Sequence, residues 1–441
     1  MNFLDKLVIP QPDYNLNMLN ALLVLALAVY IIYNATMFGS ILLSVFFKRK
    51  SKSNEDNSAK TALSYAALVT DKFMYAFGLS IVPFLSIIFI YTQLLHKANP
   101  EIAAYLMYAF VLYVIGLALA FLYNKVLATG SKSANDDKSF NLQGINLASY
   151  SRFNPYGFIS LVFQLLSYWI LIASINLASH QSHWANDGFV KMLFSIDSIV
   201  DFTQFIIISL SLAAITFLFR NYSWDKKNIN GDEVNSSIFK SNLWIALISS
   251  ILVSTFFAIG IWTLAKQSFS TSIFFASIAG VILVVLSLQW LYVSYRDKKF
   301  NLINYAYLAM IIVVFIFAFR DKTAFAVSNK ANVVTLNEDY NVHHDEFVAS
   351  LGLGKKEING GEIYSGRCVA CHRDEDSPTA PAHKNVIKKY LSQADPKAAL
   401  VKFIMSPVKV NPAYPPMPNP GLTPAEANAV AEFMVSKYST K

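Results

Sequence analysis

About eight long apolar stretches constrain this chain more than any other feature. They run roughly over residues 20–47, 73–95, 102–122, 156–177, 192–219, 243–264, 272–295 and 303–319. Each is long enough to cross the hydrocarbon core of a bilayer as a helix. Lipid offers backbone groups no partners, so segments of this kind must satisfy their hydrogen bonds internally, as α-helices do. The composition agrees, with 55% hydrophobic and only 15% charged residues. Asn99-Pro100 and Asn154-Pro155 mark two helix starts. Most of these stretches are apolar all round, so periodicity does not say which face meets lipid.

Charge placement predicts the topology. The basic run Lys48-Arg49-Lys50-Ser51-Lys52 follows the first stretch directly, the pattern of an anchor with its N-terminus outside rather than of a cleaved leader. The four loops expected inside hold about 17 Lys and Arg, against about 4 in the N-terminal tail and the outer loops. Eight spans then return the chain to the outside, where residues after 320 must lie. The formal charge of +8 is mostly inner-loop charge, so no nucleic-acid partner is implied.

Residues 368–372 read Cys-Val-Ala-Cys-His, the attachment signature of a c-type haem. In that chemistry Cys368 and Cys371 bond the haem vinyl groups, and His372 ligates the iron. The chain has two cysteines in all, and both are here. A redox dithiol would need a βαβ context, and a zinc site would need more Cys or His nearby. One covalent haem c is therefore expected. Haem attachment in bacteria takes place outside the cytoplasmic membrane, the face that the charge pattern assigns to this segment.

The flanking residues resemble a class I cytochrome c domain. Gly360-Gly361-Glu362-Ile363-Tyr364-Ser365-Gly366-Arg367 has the pattern of an N-terminal helix ending at the haem thiols. Tyr414-Pro-Pro-Met417-Pro418 comes later, before a final helix. The resemblance implies that Met417 is the sixth iron ligand; Met405, Met434 and His383 are its rivals, His383 giving a bis-His haem. It also implies a glycine-proline turn after the haem histidine, whose carbonyl orients that ring. This chain has Ser377-Pro378-Thr379-Ala380-Pro381 instead, so Pro378 or Pro381 must serve. Thr423-Pro424-Ala425-Glu426 is a capping box with a first-turn proline, and Asp395-Pro396 opens another helix. The fold expected is all-α: a polytopic helical bundle over 1–320, a periplasmic linker over 321–356 and a small cytochrome c domain over 357–441. The linker contains the polar run His343-His344-Asp345-Glu346.

None of the seven histidines falls well inside an apolar stretch, which argues against a second haem within the bundle. One polar cluster stands out. Asp197 and Asp201 share a helix face near the outer end of the fifth span, Gln204 follows one turn on, and His180, His183 and Asp187 precede them. Carboxylates within a span face the protein interior or a wet cavity. These two could accept protons from a quinol, or sit in the interface or against another subunit.

The expectation for function is an electron-transfer subunit in a bacterial cytoplasmic membrane. It would dock in a respiratory or photosynthetic complex and exchange electrons with a soluble cytochrome or an oxidase. The alternative is an oxidoreductase that oxidises quinol or another small reductant and feeds its own haem. The layout is similar to that of membrane-bound urate oxidases linked to a cytochrome. Those carry histidines in their early spans, whereas residues 19–38 here have none.

Overall fold

Apolar runs of this length bury their backbone polar groups most cheaply as helices, and helices are what form. In the computed structural model the described residues are 8, 10–52, 56–96, 98–99, 101–133, 154–181, 184, 188–224, 237–262, 270–351, 358–373, 379–409 and 412–439. No strand occurs among them. Among the described residues, eight helices are long and apolar enough to cross a membrane. They are α1 (Asp13–Lys50), α3 (Phe73–Leu94), α4 (Glu101–Ser133), α5 (Pro155–Ser179), α7 (Ile196–Trp224), α8 (Ser237–Trp262), α9 (Thr271–Arg296) and α10 (Leu302–Ser328). Two shorter helices, α2 (Asn57–Thr70) and α6 (Gly188–Leu193), lie between spans.

Contacts divide the chain into two units, Met1–Asn341 and Val342–Lys441. In the first, small residues let the spans approach, and serines bridge them: Ser160 donates to the Gly116 carbonyl and Ser167 to the Ala109 carbonyl, both at 2.7 Å. Ser211 and Ser250 join α7 to α8 at 2.7 Å. At one end of the bundle the side chain of Gln181 donates to the Ser328 carbonyl, and Asn329 and Asn332 donate to Leu94 at 3.0 and 2.8 Å. The start of α1 meets the same end, where the Asp13 amide donates to Asn337 at 2.9 Å.

Several boundaries differ from the sequence reading: α1 already begins at Asp13 rather than 20, and α4 runs to Ser133 rather than 122. The fifth span begins at Ile196 rather than near 192, because Ser195 caps it by accepting from the Ser198 amide at 3.1 Å. The sixth is described to Trp262, and its expected end at 264 lies outside the described residues. The eighth was expected to stop at Phe319, before Arg320-Asp321-Lys322. Instead α10 runs on to Ser328, because Arg320 pairs with Asp321 and buries, and Ala324 and Phe325 extend the same buried face. Helix α11 (Lys330–Ser350) follows, so much of the stretch expected as a linker is helical.

The second unit is a small helical domain. Helix α12 (Gly360–Ile363) passes directly into a π turn over Tyr364–Cys368. Then come α13 (His383–Val386), α14 (Lys388–Leu391), α15 (Pro396–Met405) and α16 (Pro424–Ser439). The expected caps form: Asp395 accepts from the Ala398 amide at 3.0 Å, and Thr423 and Glu426 make the reciprocal box at 3.3 and 2.8 Å. Helices α12 and α16 cross so closely at Gly360 that a Cβ there would overlap the Ala429 carbonyl.

Candidate functional site

The signature segment sits at the end of the α12 π turn. Wide π turns occur often at functional sites, and this one hands the chain to a tight reversal in which the His372 amide bonds the Cys368 carbonyl at 2.9 Å. Cys368 is half-buried and Cys371 exposed; burial pushes the Cys368 thiol up from its ordinary value. Both line one cavity of about 820 Å3, mouth included, together with His372, Met417 and Met434. Apolar residues of α13 to α15, including Ile387, Leu400 and Ile404, close its walls.

Nδ1 of His372 lies 2.8 Å from the Pro381 carbonyl. A carbonyl can only accept, so Nδ1 carries the proton and Nε2 keeps its lone pair, the tautomer a metal ligand needs. Of the two prolines the sequence left open, Pro381 is the one that meets the ring; Pro378 lies outside the described residues. His383 stacks on His372, ring centroids 4.1 Å apart and planes 12° apart. Its Nδ1 bonds the Tyr364 hydroxyl at 2.9 Å. Burial, then the neighbouring His372 and Lys437, pushes this imidazole down to about 3, so it is neutral. A ring stacked beside His372 is not placed across an iron from it. Met417 is half-buried in an irregular, proline-rich segment, and Arg367 holds that segment by donating to the Pro420 and Gly421 carbonyls at 3.2 and 3.4 Å. Met434 belongs to the α16 core face, and Met405 packs at the edge of the domain core.

Residues 358–437 match the family described as cytochrome c. The chain is also 35% identical over 78 residues to cytochrome c-551 of Pseudomonas denitrificans, an alignment covering 95% of that protein and 18% of this chain. Through its C-terminal domain, the chain belongs to the cytochrome c family. A cytochrome c domain implies a covalent haem c, and this cavity fits one: two thiols and an imidazole with a free nitrogen at one edge, a thioether in the wall, apolar sides. When bound, such a group supplies one-electron exchange at iron. Around it, the cytochrome c domain supplies the carbonyl that fixes His372 and the walls that exclude water.

The polar cluster of the membrane part divides in two. Asp197 is partly exposed and lies 3.5 Å from Nε2 of His180, which ends α5. Asp201 accepts from Asn176 at 3.0 Å and lines a cavity between α1, α5, α7 and α10. His183 and Asp187 lie outside the described residues. Sequence reasoning missed Arg320, Asp321 and Tyr30 in the lining of that cavity. The apolar face that resumes at Ala324 and Phe325 was the available signal that Arg320 is interior.

Proposed function

We propose that this membrane protein is an anchored c-type cytochrome that carries electrons on the periplasmic side of a bacterial cytoplasmic membrane. It serves as a subunit of a respiratory or photosynthetic complex, with a soluble cytochrome or an oxidase as redox partner. Cys368 and Cys371 hold the haem, His372 is the proximal ligand and Met417 the sixth. The observation that carries this reading is the convergence of those four residues on one apolar cavity, with His372 fixed by Pro381. The basic loops support the orientation.

Purification from mild detergent with a pyridine haemochrome spectrum tests the reading. One haem c per chain, no haem b, and co-purification with larger redox subunits is the expected result. A second haem or none would sink it.

A second reading is favoured by Asp201 at a cavity inside the bundle: an oxidoreductase that feeds its own haem. Quinol:cytochrome reductase activity of the isolated chain, lost in Asp201→Asn, would support it. The layout shared with cytochrome-linked urate oxidases fits this division of labour, but the histidine-free stretch 19–38 does not support urate as the substrate.

A further inference from the structure

The cavity between α1, α5, α7 and α10 encloses about 800 Å3, mouth included, in the half of the bundle from which α10 leaves the membrane part. Most of its lining is apolar, with side chains such as Ile172, Phe205 and Val314. Three buried donors in that lining have no partner: the Tyr30 hydroxyl, Nε2 of Gln204 and Nη1 of Arg320. The residues are 1%, 3% and 2% exposed. A buried donor left unbonded is costly, and three on one apolar cavity form the usual pattern of a small-molecule site.

The charges choose the ligand class. Arg320 is matched by Asp321, which accepts from its Nε and Nη2, each at 2.8 Å, and its guanidinium lies over the rings of Phe317 and Phe257 at 5.0 and 5.3 Å. Asp201 adds a second carboxylate to the lining. The lining therefore carries no surplus positive charge, and an anionic headgroup would meet two carboxylates. A neutral ring with oxygen acceptors and an apolar body suits a lining with three donor-bearing residues and apolar walls. Its reduced, hydroxyl-bearing form would find an acceptor in Asp201. An arginine held inside a membrane bundle is expensive and marks function more often than packing.

We propose that this cavity binds the headgroup of a membrane quinone or quinol. Binding stands by itself; only the ligand's use as an electron source rests on the electron-transfer reading above.

The test is equilibrium binding of a tritiated short-tailed benzoquinone to the full, haem-loaded chain in phosphatidylcholine nanodiscs. One saturable site per chain is expected. Gln204→Leu and Tyr30→Phe, both conservative in volume, should each weaken binding about threefold to tenfold, the worth of one hydrogen bond, at unchanged haem content. No saturable binding, or wild-type binding by both variants, would overturn the proposal. So would displacement of the probe by phosphatidylglycerol, which would make the cavity an anionic-lipid site. A chain that binds the probe while its haem exchanges no electrons refutes the electron-transfer reading alone; a redox-active chain without binding refutes this site alone.

Discussion

His372 donates from Nδ1 to the backbone carbonyl of Pro381 at 2.8 Å. The group that fixes the ring is thus a main-chain oxygen, and the residue bearing it matters only through backbone stiffness. Pro381→Ala should keep the haem and its absorption spectrum. It should cost about 0.4–1 kcal/mol of domain stability through the freer unfolded chain. A melt followed by haem absorbance measures this. A changed ligand spectrum in that variant would mean the proline ring itself positions His372.

Met417 and His383 compete for the sixth position, and the stacking of His383 on His372 supports the proposal of Met417. Met417→Ala should abolish the sulfur-to-iron charge-transfer band and lower the haem potential on the order of 0.1 V, well within the roughly 0.8 V that axial ligands span. His383→Phe should keep the band. If the band survives in Met417→Ala and vanishes in His383→Phe, the assignment is reversed.

Gly360 has no room for a side chain, because α16 presents the Ala429 carbonyl where a Cβ would stand. Gly360→Ala should therefore force α12 and α16 apart and destabilise the haem domain by about 1–3 kcal/mol, the usual cost of overpacking. Thermal denaturation of the full chain, monitored at the haem, gives the number. Gly366→Ala is the control, since a Cβ at Gly366 meets nothing within 4 Å. Equal losses in the two variants would remove the crossing as the cause.

Two surface carboxylates should make the domain acid-sensitive. Backbone and side-chain hydrogen bonds from Thr423 hold Glu426 below its usual 4.5, and Lys397, 2.5 Å away, does the same for Glu432. A carboxylate lowered on folding stabilises above its ordinary value and loses that contribution as pH falls through the folded one. Domain stability should thus decline below about pH 4.5, with a smaller slope in Glu426→Gln and Glu432→Gln and a weaker Glu432 effect in high salt. A slope unchanged in both variants would place the acid sensitivity elsewhere.

Much of this was legible in the chain because each signal was local. Hydropathy located the spans, Asp395 and Thr423 announced their helices, and Cys-Val-Ala-Cys-His named a cofactor. The parts that stayed hidden depend on contacts distant in sequence. Arg320 reads as the end of a span, since its burial depends on Asp321 beside it and on Phe257 of α8, far away in sequence. The choice between Pro378 and Pro381 needed the path of a loop, which spacing does not encode. The stacking of His383 on His372 depends on where α13 packs, and no pattern within α13 states it.

The orientation proposed from basic loops can be read directly with thiols, and the haem makes the experiment clean. If Cys368 and Cys371 are both consumed in thioether bonds, an introduced cysteine is the sole free thiol of the chain. Lys299 lies exposed at the turn between α9 and α10, and Glu338 lies exposed on α11, beyond the opposite end of α10. A membrane-impermeant maleimide applied to intact spheroplasts should label Glu338→Cys and spare Lys299→Cys until the membrane is opened. The unsubstituted chain should take no label in either case. Labelling of Lys299→Cys alone would invert the topology and put the haem domain on the cytoplasmic side, against the positive-inside count. Labelling of the unsubstituted chain would instead show a free signature thiol, and would strike at the covalent haem while leaving the topology intact.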